Sequence, residues 1–92
     1  MKILAVCGMG FGSSLMLKMT ADRVIQKKGI QAEVEATDIG TAESVQADLI
    51  LTNNEFASQL EGGRSAVKAI MNMASEDEVA KAIDEFLEET NK

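Results

Sequence analysis

Apolar side chains fall along this 92-residue chain in short runs separated by stretches of mixed character. Residues 2–6 (KILAV) are nearly all apolar and end at a glycine cluster, the pattern of a strand covered on both faces. Residues 14–28 read as a helix. Leu15, Met16, Met19 and Val24 recur there at helical spacing, and Lys27, Lys28 and Gly29 supply a cationic last turn and a stop. On this reading Met16 and Met19 pack into the core. A second strand, over 32–37, alternates Val34 and Ala36 with Glu33 and Glu35; a third, over 48–52, is of the buried type; a fourth, over 66–70, is interrupted by Lys68. Short helices or turns over 41–46 and 55–60 lie between them.

The last helix has the clearest signature. Ser75 followed by Glu78 makes a capping box, and Glu76, Asp77 and Glu78 complement the positive end of the helix. Val79, Ala82, Ile83, Phe86 and Leu87 then form one apolar face over Asp84, Glu85, Glu88 and Glu89. Strands and helices thus alternate. With right-handed crossovers this predicts an α/β fold: one domain over residues 1–92, a four-stranded parallel sheet flanked by helices in the flavodoxin-like doubly wound order 2-1-3-4. In that order the first strand is central, and its carboxyl end, where Cys7 stands, lies at the ligand crevice.

Composition narrows the chemistry. The chain is 46% apolar, enough for one core. Its apolar runs are far shorter than the roughly 18 residues of a membrane span, and the N-terminus reads as a buried strand rather than a secretory signal. It has no histidine, which removes a His general base, a His metal ligand and a Ser-His-Asp triad within the chain. A single cysteine, Cys7, rules out an internal disulfide and a cysteine zinc cluster, and points to a reducing cytosol. The net charge of −6 makes nucleic acid a poor partner. That total is unevenly spread. Residues 1–32 carry five basic side chains and one acidic, a balance of +4, against −10 for the remainder.

The chemistry concentrates in Cys7-Gly8-Met9-Gly10-Phe11-Gly12-Ser13-Ser14, between the first strand and the first helix. Alternate glycines let successive N–H groups turn inward, the helix start adds free N–H groups and a positive dipole end, and Ser13 and Ser14 add hydroxyls, one of them as N-cap. Such a cradle suits a tetrahedral oxyanion and lowers the pKa of a thiol at Cys7, making it a nucleophile. A dinucleotide fingerprint would need glycine where Ser13 or Leu15 stands, and a nucleotide P-loop would need a lysine that is absent. Tyrosine phosphatases close a similar Cys-x5 loop with arginine; here Ser13 holds that place, so the loop can take up a phosphoryl group but lacks parts for rapid hydrolysis. Met9 and Phe11 either form an exposed rim for partners or fold back over the sheet. Lys18 is either a steering charge or a solvated lysine. Asp48, Asn53 and Asn54 flank the third strand as secondary candidates for lining the site.

The stretch ILAVCGMGFGSSLMLKM resembles the N-terminal signature of the IIB components of the phosphoenolpyruvate-dependent sugar phosphotransferase system, nearest the ascorbate type, with the galactitol and lactose/cellobiose types close by. The resemblance is dense over residues 3–19 and compatible in layout over the rest. It implies that Cys7 is phosphorylated by a phosphohistidine on a IIA protein and passes the group to a sugar held by a membrane IIC component. It also implies that Gly8, Met9, Gly10, Phe11, Gly12, Ser13 and Ser14 form the phosphate loop, and that the protein works in the cytoplasm. No metal or other cofactor is implied. The competing readings are a low-molecular-weight thiol phosphatase or arsenate-reductase-like enzyme, weakened by the missing loop arginine and second cysteine, and a non-catalytic anion-sensing domain.

Overall fold

The computed structural model describes residues 1–6, 11–44, 47–60, 65–72 and 74–90. Its elements are β1 (Lys2–Val6), α1 (Phe11–Lys28), β2 (Glu33–Thr37), α2 (Ile39–Ser44), β3 (Leu49–Thr52), α3 (Asn54–Leu60), β4 (Ala66–Ala69) and α4 (Glu76–Thr90). All pairings are parallel and the sheet runs β2-β1-β3-β4, the order the alternating pattern predicts. The two central strands are the most apolar. Ile3, Leu4, Ala5 and Val6 of β1 and all of β3 are buried, while β2 at one edge exposes Glu33 and Glu35. At the other edge Lys68 of β4 reaches Glu89 (2.8 Å) and Glu85 (3.7 Å), a charged strand that discourages edge-to-edge pairing.

The strand pleat sends alternate side chains to opposite faces. Ile3, Ala5, Leu49 and Leu51 meet Leu17, Ala21, Val24 and Ile25 of α1 and Val79, Ala82, Ile83 and Phe86 of α4. On the other face Leu4, Val6 and Ile50 pack with Ala42 of α2 and Phe56 and Leu60 of α3. Lys27–Glu76 (2.6 Å) and Lys28–Asp84 (2.7 Å) tie α1 to α4 beside the first of these cores.

Local chemistry explains the helix ends. Gly29 takes φ +70, the Ile30 N–H donates to the Ile25 carbonyl at 3.0 Å and the Gly29 N–H to the Gln26 carbonyl at 3.3 Å, a Schellman cap with Ile30 folded onto the core. At α4 the Ser75 hydroxyl accepts from the Glu78 N–H as the capping box requires. The reciprocal half differs. The Glu78 carboxylate accepts from the N–H groups of Met71 (2.6 Å) and Asn72 (2.9 Å), so it pins the connection leaving β4 rather than closing on Ser75.

Two sequence expectations for α1 are corrected. The helix begins at Phe11, not Ser14, so Ser13 and Ser14 lie inside its first turn and neither is the N-cap. Leu15, Met16 and Met19 form a face, but the outward one: they are 51%, 50% and 49% exposed, while Leu17, Ala21 and Val24 form the inward stripe. Both sets have helical spacing. The small Ala21 lets the helix settle closely between β1 and β2, and that packing decides which set turns inward.

Candidate functional site

Three connections leave the carboxyl edge of the sheet within a few residues of β1, β2 and β3. Two of the helices that follow, α2 and α3, are fixed there by their caps. Asp38 accepts the Thr41 N–H at 2.7 Å at the start of α2, and Asn53 accepts the Phe56 N–H at 2.8 Å at the start of α3. The Thr41 backbone hydrogen bond, helped by the Thr41 side chain, holds the Asp38 carboxyl below its usual pKa. Asn53 is thus a structural cap, while Asn54 is exposed at the same edge. Asp48 lies at the opposite edge. Its carboxylate accepts the Lys2 N–H at 2.7 Å, and it does not line a site at the carboxyl ends.

Four residues, 7–10, separate Val6 from Phe11; they include Cys7, Gly8, Met9 and Gly10 and lie outside the described residues, as do the side chains of Phe11, Gly12, Ser13 and Ser14. The described backbone on either side defines the setting. β1 is a central, fully covered strand, and α1 is the longest helix described, with no acidic residue in its first turn. By contrast α4 fills its first turn with Glu76, Asp77 and Glu78. The N–H groups of Phe11, Gly12 and Ser13 have no partner within an α-helix, and no side-chain carboxylate of that turn offsets the positive end of the dipole. Such a terminus favours an external anion.

Two further features border this edge. Thr52, at the end of β3, stands beside Val6 in the parallel register, is wholly buried, and its hydroxyl oxygen has no hydrogen-bond partner among the described residues. Lys18 is tied to Asp22 at 2.7 Å, one helical turn on, and so is not a free steering charge. Among the described residues no three potential metal ligands come together.

The strand–short loop–helix unit at the start of a 2-1-3-4 sheet is the setting in which comparison with known proteins becomes decisive. The lactose/cellobiose-specific IIB subunit family of the phosphotransferase system (PTS_IIB) matches the chain over residues 2–85. This chain belongs to the PTS IIB family. An ascorbate-specific PTS system EIIB component of Salmonella typhimurium is 31% identical over 91 residues, covering 96% of this chain and 90% of that protein. One of the same description from Mycoplasma pneumoniae is 26% identical over 88 residues, covering 92% and 93%. Among solved structures, the lactose-specific IIB domain from Streptococcus pneumoniae superposes with a TM-score of 0.66 at 17% identity, covering 96% of this chain and 95% of that one. The shared fold fits the observed strand order. IIB components are phosphotransferases that act with IIA and IIC components. Among the described residues of this IIB chain, no helix is long and apolar enough to cross a membrane.

The sequence reading missed the exposed stripe of Leu15, Met16 and Met19. A signal for it was present: from Leu15 to Ala21 apolar residues occupy more of the helix circumference than one sheet can cover.

Proposed function

We propose that residues 1–92 form one IIB domain that carries a phosphoryl group on Cys7 in the cytoplasm. The Cys7 thiolate attacks the phosphorus of a phosphohistidine on a IIA protein; the S–P bond forms, the N–P bond breaks, and the imidazole leaves with the electron pair and takes up a proton. A hydroxyl of the sugar held by IIC then attacks the same phosphorus. The O–P bond forms, the S–P bond breaks, the hydroxyl proton passes to solvent, and the thiolate is regenerated. Backbone N–H groups from Gly8 through Ser13 hold the equatorial oxygens, with the side chains of Ser13 and Ser14 as further donors, so catalysis is positioning and electrostatics. The field that binds the phosphoryl group also lowers the Cys7 pKa. The absence of histidine from the chain fits a relay whose histidine belongs to another protein. The names of the relatives favour ascorbate as the sugar.

The observation that carries this reading is the acid-free start of α1, four residues beyond the end of a central strand and so immediately after Cys7-Gly8-Met9-Gly10. The test is incubation with phosphoenolpyruvate, the general phosphotransferase proteins and an ascorbate-type IIA. Stoichiometric phosphorylation of the chain that disappears on adding IIC membranes and ascorbate supports it. Multiple-turnover release of phosphate from small aryl phosphates would show a thiol phosphatase instead.

A further inference from the structure

We propose that the outward stripe of α1 formed by Leu15, Met16 and Met19 is the docking surface for the phosphohistidine-bearing IIA donor; this rests on the phosphoryl-carrier reading above. At about 100° per residue these three positions share one arc of the helix surface roughly 100° wide. Each is half exposed, although the inward stripe already satisfies the core. Three large apolar side chains exposed together on one helix face mark an interaction site. It begins on the fourth helical residue after Phe11, so a protein seated on it also reaches the start of the helix.

Charge selects the occupant. From Phe11 to Ala21 the helix carries one charged side chain, Lys18, and no carboxylate; the first acid is Asp22, which pairs with Lys18. Together with the positive helix end, this acid-free stretch of a chain of net charge −6 suits a partner that presents a dianionic phosphoryl group. Flexible, unbranched methionines also suit a surface that must release its partner each cycle.

The test compares wild type with the Met16→Gln/Met19→Gln double variant. Both substitutions preserve helix propensity and leave Leu17, Ala21 and Val24 intact. Phosphorylation is measured against the concentration of phosphorylated ascorbate-type IIA, and separately with phosphoramidate as a small donor. The expected result is a KM for phosphorylated IIA raised about tenfold with kcat little changed, and an unaltered rate with phosphoramidate. An unchanged KM, or equal losses with both donors, overturns the docking surface. So does a variant that only converts a dimer to a monomer in sedimentation, which would assign the stripe to a second copy. If wild type takes no phosphoryl group from either donor, the carrier reading itself fails, and the two failures are thereby separated.

Discussion

Val6 and Thr52 stand side by side at the carboxyl ends of β1 and β3, both wholly buried, and the Thr52 hydroxyl oxygen has no hydrogen-bond partner among the described residues. A buried hydroxyl without a partner costs on the order of 1–3 kcal/mol. Thr52→Val is therefore expected to stabilise the protein by about 1 kcal/mol, seen as a higher urea midpoint with an unchanged slope. A lower midpoint would show that the hydroxyl does bond within the fold.

The inward and outward stripes of α1 make opposite predictions. Leu17→Ala should cost about 2–4 kcal/mol, because Leu17 is fully buried in the α1–α4 core. Met16→Ala and Met19→Ala should each stay within about 0.5 kcal/mol, as exposed positions do. Equal losses at all three positions in chemical denaturation would return the methionines to the core.

These residues also show how far the sequence was legible. Strand order followed from the alternation of buried runs with helical stretches and from crossover handedness, and the Gly29 and Ser75 helix boundaries followed from local chemistry that tertiary contacts do not override. The start of α1 did not. Gly10 and Gly12 read as loop residues, yet the helix extends through Gly12 from Phe11, because a short βα connection and the packing of Leu17 and Ala21 outweigh one glycine's propensity. The direction of Met16 and Met19 was equally hidden: Leu17, Ala21 and Val24 offer a stripe of the same spacing, and only the surface of β1 and β2 chooses between the two. For the candidate site, its edge and its helix were legible, while the roles of Cys7 and the loop remain proposals.

Gly29 is the position where backbone conformation alone sets the cost of change. A Cβ there meets nothing within 4 Å, but φ +70 is unfavourable for an L side chain. Gly29→Ala should lose about 1 kcal/mol through strain at the Schellman cap. A thermal midpoint at or above wild type would contradict this.

Two carboxyls give the stability a pH dependence of known sign. Glu76 is held below its usual pKa chiefly by the hydrogen bond from Lys27, with that ammonium's charge adding to it, and Asp38 by the Thr41 N–H. A carboxyl depressed in the folded state contributes stability that is fully present above its unfolded pKa of about 4 and is lost as pH falls through the folded value. The thermal midpoint should therefore drop as pH is lowered from about 5 to 3. Asp38→Asn/Glu76→Gln, which keeps a capping side chain at 38 but removes both titrations, should drop less steeply. An identical slope would remove these two groups from the account.

The central claim is that Cys7 is the phosphoryl carrier, and the most direct measurement is to locate the phosphoryl group. After incubation with phosphoenolpyruvate, the general proteins and ascorbate-type IIA, mass spectrometry of peptides spanning residues 3–18 should find one phosphoryl group on the Cys7 sulfur, and none in Cys7→Ser. A phosphoryl group on Ser13 or Ser14, or an undiminished signal in Cys7→Ser, would contradict it.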